Sequence, residues 1–297
     1  MDKDRDKLKN TSIEELIEQQ YEIDDLISIL AFLRSPDGCP WDREQTHASI
    51  KHNLIEEAYE AIDAIQAEDS ESLKEELGDV LMQVVFHARM AEEKGEFDFN
   101  DVVTSIARKL ISRHTHVFGQ DVACNSAEVL QTWEKNKKIE KGQKSQTEVL
   151  RDVPRTLPAL TRACKVQKRA AQVGFDWPDS SGSLAKIQEE LEEIKEQIEE
   201  AQEKSGQGEW STDDGLKAVE RESGDLLFAV VNYLRALKVE PEVALNLCTD
   251  RFICRFAGME QLAGDRGEEL ESMTLEELDK LWDEIKLIEK REENASR

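Results

Sequence analysis

Two copies of one acidic pattern constrain this chain more than any other feature of its sequence. Each copy has a Glu-x-x-Glu segment followed by a Glu-x-x-Asp segment. The eight acids are Glu57, Glu60, Glu76 and Asp79 in the first copy, and Glu190, Glu193, Glu222 and Asp225 in the second. Residues three apart lie on one face of a helix, so an antiparallel pair of such helices would bring four carboxylates together. Close carboxylates repel one another unless divalent cations hold them, and oxygen ligands suit Mg²⁺ or Mn²⁺.

Apolar residues accompany these acids at helical spacing. Charged residues make up 35% of the chain, so a glutamate-rich helix such as 189–203 could instead be a solvated face. The apolar stripes comprise Leu54, Ala58, Ala61, Ile62 and Ile65, then Leu73, Leu77, Val80, Leu81 and Val84, then Ile187, Leu191, Ile194 and Ile198. Acids at the same angular offset from a core stripe in three helices favour a shared site over incidental surface charge.

The same order of motifs occurs in both halves of the chain. A turn with tryptophan, the two acidic segments, a cation pair at i, i+4 and a Trp-x-x-x-Lys segment follow one another twice. This order predicts a duplicated domain, and the lack of alternating apolar residues predicts an all-α fold. The expected organisation is a charged lead-in at 1–21, a first domain at 22–141, a linker at 142–157 and a second domain at 158–297. Acidic helices are expected at about 46–67 and 71–94, and a polar insert at 205–215 lengthens the second pair.

Composition narrows the range of partners. The formal net charge is −26, which argues against general binding to nucleic acid or to membrane surfaces. Five cysteines without Cys-x-x-Cys spacing indicate neither a disulfide framework nor a zinc site. The N-terminus has no apolar signal region and no run approaches 18 apolar residues, so we expect a cytoplasmic protein.

The motifs around the acids resemble those of a known family. The chain has Gly-Cys-Pro-Trp-Asp-Arg-Glu-Gln-Thr-His at 38–47, Arg-His-Thr-His-Val-Phe at 113–118 and Gly-Phe-Asp-Trp at 174–177. With the acidic segments, they are similar to the two-domain MazG nucleoside triphosphate pyrophosphohydrolases. The resemblance implies a tandem helical fold related to the all-α dimeric dUTPases, with four-helix-bundle cores formed on dimerisation. It also implies Mg²⁺-dependent hydrolysis of a broad range of nucleoside triphosphates to nucleoside monophosphate and pyrophosphate.

The resemblance also implies roles for individual residues. All eight acids would be metal ligands. The nucleotide contacts would be Arg251, Arg255, Trp282 and Lys286 in the second copy, and Lys109, Arg113, Trp133 and Lys137 in the first. The chain departs from the family at Arg251, where lysine is usual, and at 51–53, where Pro-Tyr is more frequent. Arginine keeps the charge but makes a forked contact instead of a point-charge one. Trp282 could stack on a base or belong to a core.

A hydrolytic mechanism fits these residues. Glu56 or Glu189 could orient the attacking water, while Arg251, Arg255 and Lys286 would stabilise the leaving pyrophosphate. Because both copies keep their acids and cations, nothing in the sequence marks either copy as inactive. Two alternatives stay open: a non-catalytic helical regulator that binds nucleotide or a partner protein, and a pyrophosphatase restricted to substrates such as dUTP or dCTP.

Two apolar runs, 80–86 and 226–231, indicate that the chain associates with another copy of itself. They have more apolar circumference than one antiparallel partner helix can cover. We therefore expect a homodimer that buries both runs.

Overall fold

The computed structural model of the protein describes residues 11–205 and 213–295. Within these ranges the chain forms 14 α-helices and one 3₁₀ helix and no strand, so the expected all-α class is confirmed. It divides into two compact units, 1–137 and 138–297. No helix in the described ranges has the length and apolarity needed to cross a membrane.

The helices of the first unit precede those of the second in the chain. The first eight are α1 (Ile13–Ile17), α2 (Ile23–Leu33), α3 (Pro40–Glu44), α4 (Asn53–Gln66), α5 (Ser70–Glu92), α6 (Phe99–Arg113), α7 (Thr115–Phe118) and α8 (Ser126–Glu140), and the unit boundary falls within α8. The next six are α9 (Gln146–Arg151), α10 (Ala159–Ala171), α11 (Ser180–Ser205), α12 (Asp213–Ala236), α13 (Pro241–Arg266) and α14 (Leu275–Ala295).

In the first unit, the acidic helices α4 and α5 form a hairpin. Only 67–69 connect them, and Asp69 starts α5 by accepting hydrogen bonds from the backbone N–H groups of Glu71 and Ser72. Helix α2 packs against α5. The core beneath the hairpin consists of Leu30, Ile50, Val85, Phe86 and Met90.

A buried arginine joins three parts of this unit. Arg34 follows α2 and donates from Nη2 to Glu93 Oε2 at 2.8 Å, just beyond the end of α5. It also donates to the backbone carbonyls of Asp42 and Gln45, and its guanidinium lies 5.3 Å from the centre of the Phe86 ring. Burial alone would raise the pKa of Glu93, but hydrogen bonds from Arg34 and Arg89 outweigh it and hold that pKa below its usual value.

The second unit repeats the hairpin and adds another. Helices α11 and α12 pack along each other, and α10 packs against α12 and α13. Helices α13 and α14 form a further pair with Met259, Ala263 and Leu281 at its core. Gly267 ends α13 with a φ of 72°, a left-handed conformation that glycine adopts without strain.

The structure places the predicted linker, 142–157, inside the second unit. The segment contains α9, and Val149 and Val153 are buried. Gln146 donates to the backbone carbonyl of Arg169 at 2.6 Å, and the Arg169 guanidinium donates to the carbonyl of Val149. These contacts with α10 make the segment part of a folded unit. Residues 1–10 of the lead-in and 206–212 of the insert lie outside the described residues.

The first acidic helix begins later than predicted, at residue 53 instead of about 46. Thr46 and Ser49 hydrogen-bond to each other's backbone in a turn, so these side chains compete with helix formation.

The predicted core stripes are partly wrong for the single chain. Ala61 and Ala64 are buried, whereas Ile65 and Leu77 are 57% and 54% exposed. The burial of the two alanines indicates that α4 meets its neighbour through small side chains. Larger apolar side chains therefore remain on the surface.

Replacement of Arg34 by methionine should destabilise the first unit. The change keeps much of the apolar stem but leaves Glu93 without its main partner, which should cost about 3 kcal/mol, as for other broken buried ion pairs. Urea denaturation followed by circular dichroism measures the loss. The matched control is Lys74→Met, because Lys74 pairs with Glu71 on the open surface of α5. Equal denaturation midpoints for the two variants would contradict the assigned role of Arg34.

Candidate functional site

The first acidic cluster lies on the α4–α5 hairpin. Glu57, Glu76 and Asp79 each offer one carboxylate oxygen, and these oxygens lie within 4.8 Å of one another. Partial burial raises the pKa of Glu57, and the charges of Asp79 and Glu60 raise it further. The fourth predicted acid, Glu60, is exposed and lies outside this group of three, but near enough for its charge to act on it.

The second cluster lies on α11 and α12. Glu190, Glu193 and Glu222 again offer oxygens within 4.8 Å of one another. Glu190 and Glu222 are only 4% and 7% exposed, so this cluster is more deeply buried than the first. Asp225, the fourth predicted acid, is exposed on the next turn of α12. In both units the structure thus brings three of the four acids together.

One oxygen of the second cluster has no hydrogen-bond partner among the described residues. Glu190 Oε1 lies 2.6 Å from Lys186 Nζ, whereas the buried Oε2 is unpartnered. Hydrogen bonds with Glu190 and Glu189 raise the pKa of Lys186. Burial and then the charge of Glu190 raise the pKa of Glu193. An unpaired buried carboxylate oxygen is costly, so it marks a position that a cation would satisfy.

The donor atoms of both clusters fit a hard divalent cation. They are all carboxylate oxygens, the ligands that Mg²⁺ and Mn²⁺ prefer over softer metals. The geometry therefore supports a metal site in each unit.

The predicted nucleotide-binding arginines lie against the predicted tryptophans. The Arg113 guanidinium lies 5.4 Å from the centre of the Trp133 ring, and that of Arg255 lies 5.7 Å from Trp282. Arg255 also donates to Glu289 Oε2 at 2.9 Å. Each arginine is thus held in place by a ring on a second helix.

The remaining predicted site residues lie near the surface. Lys137 pairs with Glu134 at 3.4 Å and Lys286 with Asp283 at 2.9 Å. The side chains of Lys109, Arg251, Glu56 and Glu189 are exposed. Glu189 lies 2.9 Å from Lys186 Nζ. In the second unit, the acids that contact Arg255 and Lys286 therefore belong to α14, while the metal cluster lies on α11 and α12.

Sequence reasoning assigned no role to a cavity beside the second cluster. The cavity has a volume of about 640 Å³, and its lining includes Trp177, Lys186, Glu190 and Asp225. Two sequence signals could have indicated it: the repeated tryptophan turn at 174–177, and a lysine four residues before Glu190 on the same helix face.

The fold and the clusters define a class of protein, an all-α protein with duplicated pairs of acidic helices suited to hold divalent cations. A sequence model of the MazG nucleotide pyrophosphohydrolase domain matches residues 45–118. The chain is also 45% identical over 266 residues to the nucleoside triphosphate pyrophosphohydrolase of Escherichia coli (strain K12), covering 89% of this chain and 97% of the relative. The chain belongs to the MazG family.

Two further relatives differ in how much of their length is matched. The nucleoside triphosphate pyrophosphohydrolase/pyrophosphatase MazG of Thermotoga maritima is 44% identical over 263 residues, covering 89% of this chain and 95% of the relative. The uncharacterized protein YabN of Bacillus subtilis is 45% identical over 264 residues, which cover 89% of this chain but 51% of that protein. The matched segment thus makes up nearly the whole of the E. coli and T. maritima relatives and about half of the B. subtilis one.

Glu57→Gln should stabilise the protein when metal is removed. The raised pKa of Glu57 means that the fold disfavours its ionised form. Its contribution to stability therefore falls as the pH rises from the unfolded-state pKa through the folded-state pKa, and the unfavourable part is fully present at pH 7. In EDTA at pH 7 the variant should unfold at a higher temperature than the wild type. The control is Glu71→Gln on the exposed surface of α5. An unfolding temperature for Glu57→Gln at or below that of the control would contradict repulsion within the cluster.

Proposed function

We propose that this chain hydrolyses nucleoside triphosphates, with a broad range of bases, to nucleoside monophosphate and pyrophosphate in the presence of Mg²⁺, for which Mn²⁺ can substitute. The observation that carries the proposal is the cluster of buried carboxylates around the unpartnered Glu190 Oε2. It is supported by membership of the MazG family and by the names of the relatives from E. coli and T. maritima.

The acids of each unit would hold the metal. In the first unit these are Glu57, Glu60, Glu76 and Asp79, and in the second Glu190, Glu193, Glu222 and Asp225. When bound, Mg²⁺ would supply positive charge to the triphosphate and make water more acidic.

The reaction is an attack of water on the α-phosphorus. A bond forms between the water oxygen and that phosphorus, the bond from the phosphorus to the α–β bridging oxygen breaks, and pyrophosphate leaves with the bonding electrons. Glu56 and Glu189 immediately precede Glu57 and Glu190 on their helices and are exposed, so each can orient the water and accept its proton.

Cations would stabilise the charge that develops on pyrophosphate. In the second unit these are Arg251, Arg255 and Lys286, and in the first Lys109, Arg113 and Lys137. Trp133 and Trp282 would hold Arg113 and Arg255 at fixed positions through their ring faces.

Turnover should depend on the metal and should give defined products. EDTA should abolish activity on ATP, and added Mg²⁺ or Mn²⁺ should restore it, because the carboxylates cannot bind a triphosphate without a bridging cation. Ion-exchange chromatography should find AMP and pyrophosphate in equal amounts. Full turnover in EDTA would disprove the metal site, and ADP with phosphate as products would disprove attack at the α-phosphorus.

Both acidic sites should contribute to turnover. Glu190→Gln and Glu57→Gln each remove one ligand charge at nearly constant volume, so each variant should keep part of the activity and only the double variant should be inactive. Pyrophosphate release measures this, with circular dichroism as the check on folding. If a folded Glu190→Gln protein is inactive on every nucleotide tested, the first unit has a structural or regulatory role instead.

We propose that the chain is a homodimer. Substitutions at exposed residues of the two apolar runs can test this. Leu81 and Leu227 lie within the two apolar runs and are 39% and 58% exposed in the single chain. Light scattering at micromolar concentration should give a dimer for the wild type. Leu227→Asp should shift it towards monomer without loss of helicity, because a charge would be buried unpaired at the interface. Leu130→Asp, at an equally exposed position outside the runs, should stay dimeric. A wild type that is monomeric would contradict the proposal.

A further inference from the structure

The acidic cluster of the second unit is in contact with two cations. Lys186 Nζ lies 2.6 Å from Glu190 Oε1. Arg221 donates from Nε and Nη2 to Glu222 Oε1, at 2.9 and 2.5 Å. One oxygen of each buried carboxylate is therefore already paired with a positive charge.

The cluster of the first unit is surrounded by negative charge instead. Within the described ranges, no lysine or arginine forms an ion pair with Glu57, Glu60, Glu76 or Asp79. Partial burial raises the pKa of Glu76, and the charges of Glu60, Asp79 and Glu75 raise it further. A divalent ion would relieve this repulsion without displacing any cation of the protein.

The difference arises at two equivalent positions of the acidic helices. Glu75 immediately precedes Glu76, and Arg221 immediately precedes Glu222, so one exposed position has opposite charges in the two units. Lys186 lies four residues before Glu190, and the residue four before Glu57 is uncharged. Arginine does not lose its proton in proteins, so the position before Glu222 repels a divalent ion whenever the protein is folded.

A buried oxygen at each cluster has no partner among the described residues. In the second unit it is Oε2 of Glu190, which is 4% exposed. In the first it is Oε1 of Gln83, which is 5% exposed and whose Nε2 lies 3.5 Å from Glu57 Oε1. Both clusters thus have an oxygen that a cation would satisfy. The units differ in the charges around the acids, not in the presence of oxygen ligands.

The deeper burial of the second cluster does not cancel this difference. A low dielectric strengthens the attraction of an ion to Glu190 and Glu222, but it strengthens the repulsion from Lys186 and Arg221 as well. Even in water, a unit charge roughly 6 Å from a divalent ion changes its Kd about ten-fold.

We propose that the two units bind divalent cations with different affinities, and that Lys186 and Arg221 are internal counter-ions that raise the ion concentration needed by the second unit. The proposal rests on the part of the proposed function in which the acids hold a metal. As the ion concentration rises, the first unit is occupied before the second. Chemistry that needs the second site then responds to the ion concentration while the first site stays filled.

Binding of Mn²⁺ alone to the full chain tests the proposal. Aqueous Mn²⁺ gives an electron paramagnetic resonance signal that is lost on binding, so a titration measures the free ion. A chain with Glu190→Gln and Glu222→Gln reports the first unit, and a chain with Glu57→Gln and Glu76→Gln reports the second. The chain with all four changes gives the background from other acids. We expect the Kd of the first unit to be at least ten-fold lower.

Substitution of the counter-ions tests their role directly. In the chain that reports the second unit, Arg221→Glu and Lys186→Gln should each lower Kd about ten-fold. In the chain that reports the first unit, Glu75→Arg should raise Kd about ten-fold. The effects of Arg221→Glu and Glu75→Arg should shrink between about 20 mM and about 500 mM KCl, because salt screens exposed charges. Damage to the fold, checked by circular dichroism, would not give this salt dependence.

Two control variants change the net charge as much as these substitutions do. Lys195→Glu lies in an exposed ion pair with Glu192 on another face of α11, and Glu71→Arg lies in an exposed pair with Lys74 on another face of α5. Each should leave Kd within about two-fold of its parent chain.

The possible results separate this proposal from the proposed function. Equal Kd values in the two units, or a lower Kd in the second, would overturn the proposal alone. Counter-ion variants whose Kd values match those of the controls would also overturn it alone. A wild type that binds no Mn²⁺ above background would overturn both the proposal and the metal site of the proposed function.

Discussion

Repulsion between clustered carboxylates is the constraint on which the rest of each unit depends. Three acidic oxygens within 4.8 Å of one another stay together only if their helices are held from below. In the first unit, the core around Leu30 and Met90 and the arginine at position 34 supply that support. In the second, α10 packs against α12. The apolar core therefore carries the energetic cost of a site that would be unfavourable by itself.

The two units meet this constraint differently. The first cluster is half-buried, and Phe86, seven residues after Asp79 on α5, belongs to the apolar core of that unit. The second buries Glu190 and Glu222 and keeps an open volume beside them. Duplication has thus preserved the acids in both halves, and in the second half a cavity of about 640 Å³ lies beside them. Equal motifs in sequence do not imply equal pockets.

The sequence predicted the features that helical periodicity determines. A spacing of three residues places Glu190 and Glu193 on one face of α11. The pairing of α11 with α12 then brings Glu222 close to them. The features that the sequence did not predict depend mostly on contacts between residues far apart in the chain. Gln167 hydrogen-bonds to Phe228, 61 residues away, and no local pattern indicates that pairing. The segment 142–157 looked like a linker because of its glycine and proline, yet its Val149 and Val153 are buried and its helix α9 packs against α10. The predicted start of α4 was wrong because the side chains of Thr46 and Ser49 accept hydrogen bonds from backbone N–H groups and so stabilise a turn instead of a helix.

The contact of Lys186 with Glu190 bears on whether the second unit folds before or after it binds a metal ion. The ammonium group acts as an internal counter-ion one helical turn from the buried carboxylate. Many small metal-binding domains stay unfolded until their ion binds. Because Lys186 already pairs with Glu190, the second unit would fold without the ion, and a bound ion would replace the ammonium group beside that carboxylate. The ion concentration would then set the occupancy of the site and not the fraction of protein that is folded.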